Sequence, residues 1–165
     1  MKGINGAFQE GKSFWLSGFQ GNEKKKAGPY NSYFYNNTIY VSNKIIPRIA
    51  VASSANGVLI ANNIFYFEQA AQMVAGDQKK READLTTAGN VVFSNNLFLT
   101  PDSWPTDFSL KDTAPIIGDP GFKNKAGSAL KDYVPTNKTI ISNKGINVQP
   151  LPGDSVGLRI GLKVP

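Results

Sequence analysis

The chain has 165 residues, 41% of them hydrophobic and 18% charged, which is enough for one folded domain and too apolar for a disordered chain. Histidine and cysteine are both absent, which excludes thiol nucleophiles, Cys/His zinc sites, Ser-His-Asp triads and any disulfide framework. The formal net charge of +6 is concentrated at one end, because residues 1 to 49 hold seven basic and two acidic residues, a balance of +5. Such a basic end attracts an anionic polymer, although Lys24 to Lys26 also reads as a solvated lysine loop. No run of about 18 apolar residues is present to span a membrane, and MKGINGAFQEGK at the N-terminus has no apolar signal-peptide core. The absence of cysteine does not decide the compartment.

In chain order, Lys12-Ser-Phe-Trp15-Leu-Ser-Gly18 comes first. The run Ser32-Tyr-Phe-Tyr-Asn36-Asn37-Thr-Ile-Tyr-Val41 then reads as a strand, two asparagines and a second strand. Lys44 to Ala52 supplies another strand-like run in which Pro47 marks a turn or a sheet edge. Val58-Leu-Ile-Ala-Asn62-Asn63-Ile-Phe-Tyr-Phe67 repeats the first pattern without gaps. Residues 68 to 88 differ: EQAAQMVAGDQKKREADLTTA is rich in Ala, Gln and Lys and reads as an inserted loop or short helix. Val91-Val-Phe-Ser-Asn95-Asn96-Leu-Phe-Leu-Thr100 is the third copy, after which Pro101, Trp104 and Pro105 open a loop and the periodicity ends.

The chain holds 16 asparagines, and the three pairs carry the architecture. Asparagine tolerates left-handed backbone better than any residue except glycine, and its amide bonds to nearby backbone. A hairpin with Asn-Asn at its turn would not explain the recurrence. The spacings of 26 residues from Asn37 to Asn63 and 33 from Asn63 to Asn96 match one solenoid coil with variable loops. Stacked coils would set the three asparagines about 4.8 Å apart, close enough for their amides to hydrogen-bond along the stack. Counting by twos from the corner selects Phe34, Ile60 and Phe93 on one side and Ile39, Phe65 and Phe98 on the other, the expected interior columns. Tyr35, Ala61 and Ser94 are expected to face outward.

These Asn-Asn-x-[Ile/Phe]-[Tyr/Phe] corners, with Leu99 at the last place of the third, resemble those of right-handed parallel β-helix proteins, the pectate-lyase-like group of polysaccharide lyases and related bacterial surface proteins acting on carbohydrate. Gly118-Asp-Pro-Gly-Phe-Lys-Asn124, Leu130-Lys-Asp-Tyr-Val-Pro135 and Thr139-Ile-Ile-Ser-Asn-Lys-Gly145 resemble the closing segment of that group, with Thr136-Asn-Lys-Thr139 standing where Ser-Pro is usual. Leu151-Pro-Gly-Asp-Ser-Val-Gly-Leu158 is similar to the linker that follows it. The resemblance implies an all-β right-handed parallel β-helix of about four to five coils over residues 1–117, closed by an irregular segment over 118–165. It further implies the C-terminal part of a longer exported chain, secreted, periplasmic or on the cell surface, whose open first coil is capped by the N-terminal segment or used for self-association.

The implied role is polysaccharide binding or degradation. A lyase removes the proton alpha to a uronic carboxylate and needs a neutralising cation or calcium and a base, for which Lys12, Lys44 and Arg48 are candidates; they also read as surface charges. Glu68 is the best single carboxylate for a glycosidase, which needs a pair, while Asp119 reads as a turn residue. Trp15, Tyr30, Tyr40 and Tyr66 are candidate sugar platforms, with Tyr40 and Tyr66 at equivalent repeat positions. The alternatives are an active lyase on acidic glycans and a structural or adhesin scaffold without activity. Nucleic acid is disfavoured, because Lys79-Lys-Arg81 is diluted by Glu82 and Asp84 and no recognised motif is present. No cofactor or metal motif is evident, and calcium is left open.

Overall fold

The computed structural model describes residues 12–21, 23–73, 89–125 and 127–148. Ten strands lie in three parallel sheets: β1 (Phe14–Leu16), β2 (Tyr30–Tyr35), β3 (Thr38–Val41), β4 (Arg48–Val51), β5 (Asn56–Ala61), β6 (Ile64–Phe67), β7 (Gln72–Met73), β8 (Gly89–Ser94), β9 (Leu97–Phe98) and β10 (Ile116–Ile117). The first sheet is ordered β1-β4-β7, the second β2-β5-β8 and the third β3-β6-β9-β10. The chain therefore visits the sheets in one repeating order, and each of the first six strands pairs in parallel with the strand three further on. Three complete passages and a tenth strand, the fourth of the third sheet, are present among the described residues. Among the described residues helix is nearly absent, limited to one turn at Lys138–Ile141 and two 3₁₀ turns. No helix among the described residues is long and apolar enough to cross a membrane.

The expected columns are in register. Phe34, Ile60 and Phe93 pair across the second sheet, and Ile39, Phe65 and Phe98 across the third. All six belong to the hydrophobic cluster or pack against it, together with Phe14, Ile49 and Val51 from the first sheet. The rings of Phe65 and Phe98 stack at 5.5 Å, and Phe14 meets Phe34 edge-on at 5.2 Å. After β9 the chain folds across this core: Trp104 is buried 4.5 Å from Phe93 and 5.9 Å from Phe98, with Phe108 5.5 Å behind it. Its indole N–H donates to the Leu110 carbonyl at 2.8 Å, so the ring is buried without stranding its donor. The loop opened by Pro101 is thus the plug of one end of the core.

The first asparagine of each pair has left-handed backbone, with φ of 55° at Asn36, 56° at Asn62 and 55° at Asn95. The second carries the bonds between strands. The backbone N–H and Nδ2 of Asn37 both donate to Asn63 Oδ1 at 3.0 Å. Those of Asn63 donate to Asn96 Oδ1 at 3.0 and 2.8 Å. Those of Asn96 donate to Asp112 Oδ2 at 3.0 and 2.6 Å, so a carboxylate ends the row. Each Nδ2 also donates to a strand carbonyl: Tyr35, Phe34 and Ile60 in turn. Asn63 and Asn96 are buried with their amides fully used, the condition for polar groups inside a core.

Two expectations are corrected, at Ala61 and Pro47. Ala61 is 0% exposed; it lies in the middle strand of its sheet, between Tyr35 and Ser94 in register. Pro47 marks no sheet edge: it precedes β4, the central strand of the first sheet, and its carbonyl accepts the Gln72 N–H at 2.9 Å. Within 68–88, Gln72–Met73 form strand β7 on β4; residues 74–88, including Lys79 to Arg81, lie outside the described residues. A second left-handed column, Asn31, Gly57 and Asn90 with φ of 46°, 70° and 52°, recurs at the start of β2, β5 and β8. The Asn31 amide oxygen lies 2.8 Å from where a Cβ on Gly57 would stand, so a side chain is excluded there.

Candidate functional site

Six of the candidate residues fall on two outer faces. Trp15 and Arg48 lie on β1 and β4 of the first sheet, and Lys12 stands two residues before β1. Phe14, Leu16, Ile49 and Val51 point to the core, so alternation puts Trp15, Arg48, Ala50 and Gln72 on the opposite face. Trp15 is 47% exposed, and the Lys12 ammonium lies 3.9 Å from its ring centroid, a cation–π contact. The strand N-terminal to Trp15 is tied to β4 by the Ser13 N–H on the Arg48 carbonyl at 2.8 Å and the Arg48 N–H on Ser13 Oγ at 3.3 Å. Trp15 is in register with Ala50 and Arg48 with Gln72. The result is a strand face with an exposed indole and an ammonium beside it, flanked by the buried Ala50 and by the half-buried Arg48 in register with Gln72.

Tyr40, Tyr66 and Glu68 belong to the third sheet, where the two tyrosines are in register with rings 5.5 Å apart. They do not form an open strip. Tyr66 is 1% exposed, because Phe122 packs on it at 5.1 Å, and Tyr133 packs on Tyr40 at 5.5 Å. Both covering rings come from the segment following β10. Glu68 has partners that its sequence neighbours did not reveal: Tyr40 Oη donates to Oε1 at 3.2 Å and the Asn43 N–H to Oε2 at 2.9 Å. Asp119 does form a turn, with Oδ1 accepting the Gly121 N–H at 2.8 Å. Its Oδ2 also accepts from Lys125 Nζ at 3.2 Å and from Tyr66 Oη at 3.4 Å.

The electrostatics of this second cluster argue for holding rather than catalysis. Burial pushes the Asp119 carboxyl up, but the Gly121 N–H and Lys125 outweigh it and leave the group below the ordinary aspartate value. Contact with Tyr66, and then with Asp119, raises Lys125 above the ordinary lysine value against an opposing push from burial. Burial raises Tyr66, and burial followed by the Glu68 charge raises Tyr40. A glycosidase acid must keep a proton near neutral pH. Asp119 is tuned the other way, so the cluster clamps the closing segment to the third sheet. Tyr30, the remaining aromatic candidate, is exposed at the start of edge strand β2, and Lys44 is exposed between β3 and β4.

Among the described residues no group of three or more Asp and Glu side chains could hold a metal ion. Sequence reasoning had named Trp15, Lys12 and Arg48 separately; what it missed was the common face of Trp15 and Arg48, signalled by their offset of one residue from the inward Phe14 and Ile49 along paired strands, with Lys12 brought to it by its contact with the Trp15 ring. No family model, no curated protein and no solved structure matches the chain.

Proposed function

We propose that the chain is a right-handed parallel β-helix whose first sheet presents a binding face for acidic polysaccharide. The repeating order of the three sheets and the hydrogen-bonded asparagine row support the architecture. The observation that carries the binding role is Trp15, left 47% exposed on a flat strand surface with the Lys12 ammonium 3.9 Å from its ring centroid. A tryptophan gains by leaving water, so an open one on a rigid sheet, accompanied by Lys12 and Arg48, suits a partner with a flat apolar face and negative charge. A pyranose ring bearing a carboxylate meets both requirements. Screening would weaken the charged part of that contact, giving binding that falls with salt.

The test is binding to soluble uronic-acid polymers and to uncharged polymers of the same length. Retention on the acidic polymer, falling at least about tenfold in Trp15→Ala, is expected; each tenfold corresponds to about 1.4 kcal/mol. Equal binding of both polymers, or an unaltered Trp15→Ala, would overturn the reading. A lyase role is the second reading, favoured by two basic residues, Lys12 and Arg48, on that sheet. Growth of ultraviolet absorbance from unsaturated product during the same incubation would establish it, and blank binding throughout would leave a scaffold role.

A further inference from the structure

The asparagine row has a direction, and its two ends differ in chemistry. The oxygen assignments are fixed by backbone donors: the N–H of Asn37 and of Asn63 point at the next side chain, which must answer with oxygen. Every rung therefore donates two N–H groups toward the C-terminal end, and the carbonyl of each corner accepts from the rung below, Ile64 N–H on Asn37 O at 2.8 Å and Leu97 N–H on Asn63 O at 2.7 Å. At the C-terminal end the row is sealed. Asp112 accepts the last donors and bridges to Phe93 in parallel fashion, and Trp104 closes the apolar interior.

At the other end the chemistry is unfinished. Asn37 is exposed, both protons of its Nδ2 are used, and no donor among the described residues reaches its Oδ1. Strands β2 and β3 on either side of it are the terminal strands of their sheets. Thr38, in register with Ile64, holds the N–H equivalent to the one that Ile64 gives to Asn37 O. One oxygen acceptor, one backbone donor and two strand edges thus stand in the arrangement that each lower rung uses to hold the rung above it.

We propose that this face is an interaction surface for one further rung: an extended polypeptide segment of the type strand-Asn-Asn-strand, running parallel to β2 and β3. Its second asparagine donates its backbone N–H and Nδ2–H to Asn37 Oδ1, and its carbonyl there accepts from Thr38. The same polarity argues against a second copy of the chain. Stacked end to end, two copies would set the Asp112 carboxylate against Asn37 Oδ1, two acceptors with no proton between them. Facing first rungs would set one Asn37 oxygen against the other. Adding a strand to free edges supplies most of the affinity in such complexes, and the amide pair supplies the register.

The experiment uses the whole chain and a labelled peptide with the sequence of residues 30–41, at concentrations where the peptide alone is monomeric, read by fluorescence anisotropy. The peptide is expected to bind, and the peptide carrying Asn37→Asp, which offers a carboxylate in place of two donors, to bind at least about tenfold more weakly. In the protein variant Asn37→Ala the two peptides should bind alike, while a folded circular dichroism spectrum shows that the surface survives. Sedimentation of the protein alone should give a monomer. Absence of peptide binding, equal affinity of the two peptides for the unaltered protein, or end-to-end dimers would each overturn the proposal.

Discussion

The outer faces of the first and third sheets both present aromatic side chains on parallel strands, and they end differently. Trp15 stays open, whereas Tyr66, in the same kind of position, is buried. Nothing in the strands themselves decides this. Residues 119 to 133 supply Phe122 and Tyr133 as a cover for the third sheet; the Tyr66 hydroxyl on Asp119 at 3.4 Å ties the cover down, and the Asp119–Lys125 ion pair at 3.2 Å braces it from within. The difference teaches that exposure on such a fold is set by what a distant segment covers, while the inward columns are set by the strands alone.

The covered face should be the costly one to damage. Tyr66→Ala removes a buried ring packed on Tyr40 and Phe122 and an acceptor's partner at Asp119, and should destabilise the fold by about 3–5 kcal/mol. Urea unfolding followed by circular dichroism measures it; a loss comparable to a surface substitution would erase the contrast between the faces.

Phe122→Ala sharpens the comparison by lifting the cover and keeping the tyrosine. The ring lies 5.1 Å from Tyr66 and 5.6 Å from Tyr133, and its loss should cost about 2–4 kcal/mol. It should also alter the alkaline titration. Burial raises the Tyr66 and Tyr40 phenols above 10.0, so their contribution to stability is complete below pH 10.0 and is lost as pH climbs through the raised values. Tyrosinate absorbance of the native chain should therefore develop at higher pH than that of the urea-unfolded chain. In Phe122→Ala part of it should move back down.

That covering also marks where the sequence stops being legible. The paired asparagines disclosed the corner, its left-handed backbone and the in-register columns, because those follow from strand period and turn chemistry within ten residues. Ala61 looked outward by alternation and is buried, and Glu68 looked partnerless because Tyr40 lies 28 residues away. Trp104 read as a loop residue because no period marks a plug. Asn31, Gly57 and Asn90 escaped because the column mixes glycine with asparagine, two answers to one steric demand. The site on the first sheet was legible as residue types and not as a face, since Lys12 and Trp15 meet Arg48 only through strand pairing across 35 positions.

A smaller effect isolates the clamp. Asp119 is held below the ordinary value of 3.8, so its ionised form stabilises the fold above that pH and the contribution is lost as pH falls through the lowered value. Its side chain is about half exposed, 47%, and solvent screening keeps the effect below about 1 kcal/mol. Asp119→Asn should reduce stability slightly at neutral pH and remove this part of the acid dependence, so that the two urea midpoints converge as the pH drops below 3.8. Midpoints that stay parallel through that range would show that Lys125 and Tyr66 do not rely on the charge.

The smallest expected change in stability is at Trp15, and it bears most directly on the two faces. Its ring is 47% exposed and meets the Lys12 ammonium, a contact worth about 0.5–1 kcal/mol at an open site. Trp15→Ala should therefore shift the urea midpoint by less than about 1 kcal/mol, within the range of ordinary surface substitutions. A tryptophan that can be removed so cheaply is not held by packing, and on the proposed binding role its removal is expected to show in the affinity for the acidic polymer instead. If Trp15→Ala instead destabilised the chain as much as Tyr66→Ala, the indole would be part of the structure, and the first sheet would be a second covered face.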